Sequence, residues 1–155
     1  MNKIEKYEAL LPQVKALCEG ENDMIAKMAN VAALLHYEFG FWWTGFYRVM
    51  RSEVGGQRSE VELLLGTFQG PIACVHIAYG RGVCGTAWKE RRTIVVADVE
   101  EFPGHIACSS ESRSEIVVPI FKGDDVIAVL DIDSRELATF DDTDRRYLEE
   151  MVKFL

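Results

Sequence analysis

The chain has 155 residues, of which 48% are hydrophobic and 27% charged, a composition typical of a folded domain with a substantial core. A net charge of −8 opposes contact with phosphate backbones, so nucleic acid is not expected as a partner. The chain lacks an apolar run of the roughly 18 residues that a membrane span needs, and its first residues lack the apolar core of a signal peptide. We therefore expect a cytoplasmic protein that is not bound to a membrane.

Two helices are predicted first. Apolar residues recur at helical spacing from residue 3 to about residue 18. After the break at Glu19–Asn22, with Asn22 as a candidate N-cap, the same spacing continues to about Phe39. Gly40 is a residue type that commonly ends a helix.

The pattern then changes to strands. We expect a hairpin from Phe41 to Gly66 with its tip at Gly55-Gly56, a strand at 73–78, a short helix at 83–91, a strand at 93–97, a loop at 98–113, strands at 115–121 and 126–131, and a closing helix from Asp141-Asp142 to near Leu155. This order predicts an α+β fold with a mainly antiparallel sheet of about six strands and helices packed on one face. Residues 1–155 are expected to form a single domain.

Three cysteines lie in contexts that suit redox chemistry. Cys74, Cys84 and Cys108 are surrounded by Gly, Pro, His and acidic residues, which are typical of loops and strand ends. A thiol in such a setting can ionise, be reached and pair with another thiol. Cys18 follows apolar residues at helical spacing and is interpreted as a core residue.

Two other functions, zinc binding and dinucleotide binding, are partly compatible with the sequence of this region. Zinc could be bound by the three cysteines with His76 or His105, but the CxxC and HxxxH pairs typical of structural zinc sites are absent from the sequence. The segment Gly80–Gly85 matches the glycine pattern of dinucleotide-binding loops, but the helix after it is too short for a parallel crossover. We expect neither a metal nor a cofactor, and interpret the glycines as sites of close backbone approach.

Carboxylates and aromatic residues mark the candidate binding face. Asp131 and Asp133 alternate along one strand and so share a face, where they would suit a bound ammonium group or lie at a solvated strand end. Glu115 opens the preceding strand and could lie beside them. Trp43 and Tyr47 also share a face of their strand, either as core residues or as the wall of a pocket for a thioether group.

Taken together, the segments WTGFY, FQGPIACVHI, GRGVCGTA, VADVEEFPGHIACSSESRSEIVVPI and AVLDIDS resemble those of the free methionine-(R)-sulfoxide reductases, a GAF-domain family. The resemblance covers nearly the whole chain from the second helix onward. By this resemblance Cys108 is the nucleophile, Cys74 the resolving thiol and Cys84 an auxiliary thiol that could also resolve.

The resemblance further implies the binding groups and partners. Glu115, Asp131 and Asp133 correspond to the acidic triad of the family, with Glu115 as the acid near the sulfoxide oxygen, and Trp43 and Tyr47 correspond to the pocket aromatics. The reaction would pass through a cysteine sulfenic acid and an intramolecular disulfide that a thioredoxin-type reductant recycles. A homodimer is expected from the family alone. The alternative is a GAF sensor domain that binds a small molecule without turnover.

Overall fold

The computed structural model describes residues 1–54, 57–105 and 111–155, without the side chains of residues 52–54 and 57–60. The expected hairpin tip at Gly55-Gly56 lies outside the described residues, as does Cys108. The helices are α1 (Lys3–Cys18), α2 (Met24–Phe39), α3 (Gly82–Glu90) and α4 (Asp142–Val152). The strands are β1 (Trp43–Val54), β2 (Gln57–Gln69), β3 (His76–Ile77), β4 (Ile94–Val96), β5 (Ser114–Lys122) and β6 (Asp125–Ser134), and a 3₁₀ turn covers Val99–Glu101.

Polar caps set the ends of the first two helices. At the start of α1 the Asn2 side chain accepts the backbone N–H of Glu5, whose carboxylate accepts the N–H of Asn2 in return. The N-cap of α2 is Asp23, one residue after the predicted Asn22, because the Asp23 carboxylate accepts the N–H of Ala26. Gly40 ends α2 as predicted, in the left-handed conformation with φ 66°.

The sheet has six strands in the order β3-β2-β1-β6-β5-β4, and each neighbouring pair is antiparallel. The predicted α+β class and mainly antiparallel sheet are therefore confirmed. The strand predicted at 73–78 is shorter, since only His76–Ile77 pair with β2. The residues just before β3 are held instead by side-chain hydrogen bonds from β1, described below.

Helices cover the two faces of the sheet unequally. Helices α1, α2 and α4 pack on one face, as predicted, around a core that includes Phe46, Ile116, Leu130 and Ile132. Helix α3 departs from the prediction that the helices share one face, because it lies on the opposite face, where it packs against Val117 and Val129 with a second apolar cluster. The chain has to run from β3 at one edge of the sheet to β4 at the other edge. Because α1, α2 and α4 already cover one face, this connection and its helix α3 lie on the other face. Among the described residues, none of the helices is long and apolar enough to cross a membrane.

Candidate active site

A cavity lies on the α3 face of the sheet, between α3 and strands β1, β5 and β6. Its empty space, including the open mouth, is about 580 Å³. Six of the residues predicted from sequence to form the site line this cavity: Trp43, Tyr47, Cys84, Glu115, Asp131 and Asp133. The fold thus brings together side chains that are as much as 90 positions apart in the sequence, from Trp43 to Asp133.

The three carboxyl groups come together because of strand register. Glu115 on β5 is paired with Asp133 on β6, and Asp131 lies two positions earlier on the same strand, opposite Gly45 of β1. Alternate residues of a strand share a face, so all three side chains point to the α3 side while Leu130 and Ile132 point to the helical core. Glu115 is only 5% exposed and Asp131 only 6%, which is not the solvated strand end considered from sequence.

Burial shifts the protonation of this cluster. Loss of hydration raises the pKa of Glu115 well above its usual range, and the neighbouring Asp131 and Asp133 raise it further. Burial likewise raises the pKa of Asp131 to about 6, with hydrogen bonds from Glu115 and Cys84 opposing the shift. The pKa of Asp133 is raised by burial and by Asp131. Glu115 therefore holds its proton more strongly than an ordinary carboxyl group, and Asp131 is the more readily ionised partner.

Hydrogen-bonding capacity within the cluster is only partly used. Ser112 Oγ donates to Asp133 Oδ1 at 3.0 Å, which favours the ionised form of that carboxyl group. His105 Nε2 lies 3.8 Å from Glu115 Oε2. Asp131 Oδ1 is buried and has no hydrogen-bond partner among the described residues. A buried oxygen in that position suits a ligand that brings a donor or a positive charge.

Cys84 is part of this cluster, and it lies in the short helix predicted from sequence, but it is buried rather than accessible as its sequence context suggested. It lies in the first turn of α3, is 4% exposed and shares a hydrogen bond with Asp131. Burial raises the pKa of its thiol well above the usual range, and the charges of Asp131 and Glu115 raise it further. This environment holds Cys84 in its neutral thiol form.

The residues that the fold groups as potential metal ligands are not the three cysteines and a histidine that the sequence offers as zinc ligands. Ligand atoms of Cys84, Glu115 and Asp131 lie within 4.8 Å of one another. His76 stands apart from them, on the exposed edge strand, where its ring nitrogen Nδ1 is 2.6 Å from Glu62. The raised pKa values of the three grouped residues favour their protonated forms, and protons are what a metal ion would have to displace.

An indole ring forms one wall of the cavity. Trp43 stacks on Tyr47 at 5.9 Å and on Phe68 at 5.2 Å between ring centroids. A Cβ atom at Gly45 would lie 2.6 Å from the Trp43 ring, and one at Gly70 would lie 2.8 Å from it. These two glycines give the indole the space it occupies, so the wall depends on them as well as on the aromatic residues.

Cys74 lies next to the cavity in the segment 70–75, which connects β2 to β3. Trp43 Nε1 donates to the Pro71 carbonyl oxygen at 3.0 Å, and the Tyr47 hydroxyl donates to the Cys74 carbonyl oxygen at 2.9 Å. The backbone N–H of Leu65 donates to the carbonyl oxygen of Val75 at 2.9 Å. The two aromatic residues of the wall therefore also position the backbone that carries Cys74, which is itself partly buried.

The structure also explains the glycine pattern Gly80–Gly85. A Cβ atom at Gly85 would lie 2.7 Å from the Ala78 carbonyl oxygen and 3.1 Å from the Gly80 backbone. The glycines thus allow α3 to start directly against the preceding turn, which is the close backbone approach predicted from sequence.

Similarity to known proteins agrees with this geometry. A family model described as a GAF domain matches residues 19–154. The chain is 53% identical to GAF domain-containing protein A of Dictyostelium discoideum, over 99% of this chain and 92% of that protein. It is 42% identical to the free methionine-R-sulfoxide reductase of Escherichia coli, over 98% of this chain and 87% of the relative.

A solved structure of the free methionine-R-sulfoxide reductase from Neisseria meningitidis, in complex with its substrate, superimposes with a TM-score of 0.92 at 50% identity, covering 99% of this chain and 88% of that one. The chain belongs to the GAF-domain family of free methionine-R-sulfoxide reductases. The predicted family and the GAF fold are therefore confirmed, and members of this family are enzymes.

Several residues contribute to the site of this reductase fold although the sequence did not indicate them as residues of a reductase site. Ser112 and His105 contact the carboxyl cluster, and Gly45 and Gly70 make room for the indole ring. Ser112 and His105 fall in a long loop whose path could not be inferred from periodicity. The glycines offered a weak signal, because Gly45 interrupts a strand that is otherwise rich in aromatic residues.

Proposed function

We propose that the chain reduces the free amino acid methionine-R-sulfoxide to methionine in the cavity on the α3 face. The observation that carries this proposal is a cluster of buried carboxyl groups beside an indole wall, with an oxygen on Asp131 to which the described part of the chain offers no hydrogen bond. An amino acid with an oxidised thioether matches these features, since its ammonium group needs carboxylates and its S-methyl group needs apolar contact.

The ammonium group of the substrate binds Asp131 and Asp133. A cation placed there stabilises both carboxylates and lowers their pKa values, so binding and ionisation support each other. This requirement favours a free amino acid over a methionine sulfoxide whose nitrogen lies in a peptide bond. Trp43 packs against the S-methyl group, and Tyr47 holds the adjacent backbone in place.

Reduction starts at Cys108, which lies outside the described residues. Its thiolate attacks the sulfoxide sulfur, while Glu115 supplies a proton to the sulfoxide oxygen, consistent with the raised pKa of that carboxyl group. The protonated oxygen then passes from the substrate sulfur to the Cys108 sulfur, the S–O bond of the substrate and the S–S bond formed by the attack both break, methionine leaves, and Cys108 becomes a sulfenic acid. The thioether gains the two electrons that the cysteine sulfur loses.

Recycling needs a second thiol and an external reductant. Cys74 attacks the Cys108 sulfenic acid, releases water and forms a disulfide, and a thioredoxin-type dithiol then reduces that disulfide. Cys84 is the alternative resolving thiol, although the raised pKa of its buried thiol disfavours the thiolate that this attack needs. We further propose that residues 1–155 act as a single catalytic domain in the cytoplasm, and that the homodimer expected from the family is the assembly.

A sensor domain that binds without turnover is the competing function, and one assay separates the two. The purified protein is incubated with dithiothreitol and an equal mixture of the R and S sulfur epimers of free L-methionine sulfoxide, and methionine is quantified. We expect consumption to stop near half of the sulfoxide, leaving the S epimer. Binding of the sulfoxide without any methionine would support the sensor and contradict the proposed reaction.

A further inference from the structure

We propose that the segment 71–75 is the docking site for the protein that reduces the Cys74–Cys108 disulfide, and that this reductant attacks the sulfur of Cys74. The inference rests on the proposed function, because only a redox cycle of this kind requires such a partner. The occupant is a disulfide-reducing protein of thioredoxin type, which carries two thiols next to an apolar surface.

The first observation is the exposure of apolar side chains on both sides of Cys74. Ile72 is 90% exposed and Val75 is 50% exposed, and Tyr79, a few residues further on, is 55% exposed. Single exposed apolar residues are common on protein surfaces. Ile72 and Val75 lie within two residues of a partly buried cysteine and form a local apolar patch beside the atom that has to be reached, whereas the Tyr79 ring packs edge-on against Trp88.

The second observation is that the backbone of this patch is held in place while its side chains remain in solvent. The carbonyl groups of Pro71, Cys74 and Val75 each accept a hydrogen bond from β1 or β2, as described above. A segment ordered before it meets a partner loses little conformational entropy on binding. Ile72 and Val75 are thus presented in a fixed arrangement rather than on a loop that must first become ordered.

The third observation is the position of the segment at the edge of the sheet. It runs into β3, which is the edge strand beside β2. An edge strand offers backbone donors and acceptors to an extended segment of another protein, while adjacent side-chain contacts add specificity. A partner that pairs there would have its reactive thiolate close to Cys74.

The chemistry of exchange favours attack at Cys74. The first thiolate of the reductant bonds to the Cys74 sulfur, the Cys74–Cys108 bond breaks, and Cys108 leaves with the electron pair as a thiolate. The second thiol of the reductant then attacks its own partner sulfur and releases Cys74, so the reductant is oxidised by two electrons. Exchange is faster when the leaving thiol is the more acidic one, and an acidic thiol is what the proposed role of nucleophile requires of Cys108.

Substitution of Val75 tests the docking site without touching the cavity lining. Val75→Asp places a charge in the apolar patch, and we expect kcat/KM for thioredoxin to fall about tenfold while turnover with dithiothreitol stays at the wild-type value. Val95→Asp is the matched control, since Val95 is 39% exposed on β4 at the opposite edge of the sheet. Equal thioredoxin kinetics in the two variants, or an equal loss with dithiothreitol, would overturn the docking site.

A trapping experiment locates the attacked sulfur independently of folding effects. Wild-type protein oxidised by the sulfoxide is mixed with a thioredoxin that lacks its second cysteine, and the mixed disulfide is mapped by peptide mass spectrometry. We expect the bridge at Cys74, and a bridge confined to Cys108 would contradict the proposal. If the wild-type protein shows no turnover even with dithiothreitol, the proposed function itself fails and the docking site fails with it.

Discussion

Glu115 and Asp133 face each other across the pairing of β5 with β6, and both side chains enter the same buried cavity. Like charges directly opposite each other on a sheet destabilise it, and burial adds the cost of lost hydration. The pair is tolerated because burial raises both pKa values, with the charge of Asp131 raising both further, so that the ionised forms of both groups are disfavoured. A ligand with a positively charged group would also stabilise the ionised carboxylates, because it offsets their repulsion and their lost hydration.

The first prediction concerns Glu115→Gln. This change removes the proton donor, and we expect kcat to fall by about 100-fold or more. It also removes a carboxyl group whose ionised form is disfavoured in the folded protein. The unfolded chain ionises Glu115 near its ordinary pKa, whereas the folded carboxyl group has a raised pKa, so the wild-type free energy of unfolding falls as pH rises above about 4. The variant should show a smaller fall between pH 5 and pH 8 in urea unfolding.

The control for that comparison is Asp124→Asn, in the exposed turn before β6. It removes one carboxyl group without touching the cluster, so its unfolding free energy should follow that of the wild-type protein across the same pH range. A Glu115→Gln variant with the pH dependence of the wild type would show that Glu115 does not titrate abnormally.

A second prediction tests the ammonium site. Asp131→Asn combined with Asp133→Asn should lower kcat/KM for free methionine-R-sulfoxide by about 100-fold, because two charge-assisted contacts are lost. The N-acetylated sulfoxide has no ammonium group, so its kcat/KM should be low and nearly the same in both proteins. An equal loss for the two substrates would mean that the aspartates support the fold rather than recognise the amino group.

The same site predicts a pH dependence. Asp131 has a pKa raised to about 6, so it is ionised above that pH and protonated below it. We expect kcat/KM of the wild-type protein for the free sulfoxide to fall as pH drops below about 6. Asp131→Asn alone should lose this acidic limb while keeping a lower, flatter profile. An unchanged limb in the variant would assign it to another group.

Ser112→Ala provides a milder test of how the cluster is held. Its hydroxyl donates to Asp133 at 3.0 Å and favours the charged carboxylate, so its removal should raise the pKa of Asp133 and weaken binding of the ammonium group. We expect KM to rise about five- to tenfold with kcat nearly unchanged. Ser112→Thr keeps the hydroxyl and should restore most of the affinity. A fall in kcat without a change in KM would contradict a positioning role.

The cysteines can be assigned by single-turnover chemistry. Cys108→Ser should abolish methionine formation. Cys74→Ser should release one equivalent of methionine and leave a sulfenic acid that dimedone traps. If Cys84 resolves in place of Cys74, the trapped fraction should appear only in the Cys74→Ser/Cys84→Ala variant. Cys108→Ser with wild-type turnover would exclude the proposed nucleophile.

The close approach at Gly85 predicts a stability effect. Gly85→Ala places a methyl group 2.7 Å from the Ala78 carbonyl oxygen, and this backbone atom cannot move without displacing the segment before α3. We expect a loss of about 1–3 kcal/mol in unfolding free energy. Gly20→Ala is the comparison, since open space surrounds Gly20 and only its φ of +80° is unfavourable, at a cost of about 1 kcal/mol. A calorimetric Tm series would rank the two variants.

The local sequence pattern predicted much of the secondary structure and part of the site. The spacing of apolar residues defined α1 and α2, Gly40 marked the end of α2, and alternation along β6 placed Asp131 and Asp133 on one face. These features depend on contacts between residues close in sequence, or on the two-residue repeat of a strand, so they can be derived without knowing the tertiary structure.

Other features depended on which distant segments come together. The short β3 and the packing of α3 on the open face follow from contacts across the sheet. The sequence context of Cys84 indicated a thiol that could be reached, but the fold buries it against Asp131. Ser112 and His105 reach the cluster through a long loop that has no periodic pattern.

The sequence by itself predicted the order of the helices and strands, the family, and six of the side chains that line the cavity. Only the tertiary structure decided that Glu115 is paired with Asp133 and that Asp131 is buried beside them. The physical reason is that a pKa depends on hydration and on nearby charges, and both are set by contacts between strands that are distant in sequence.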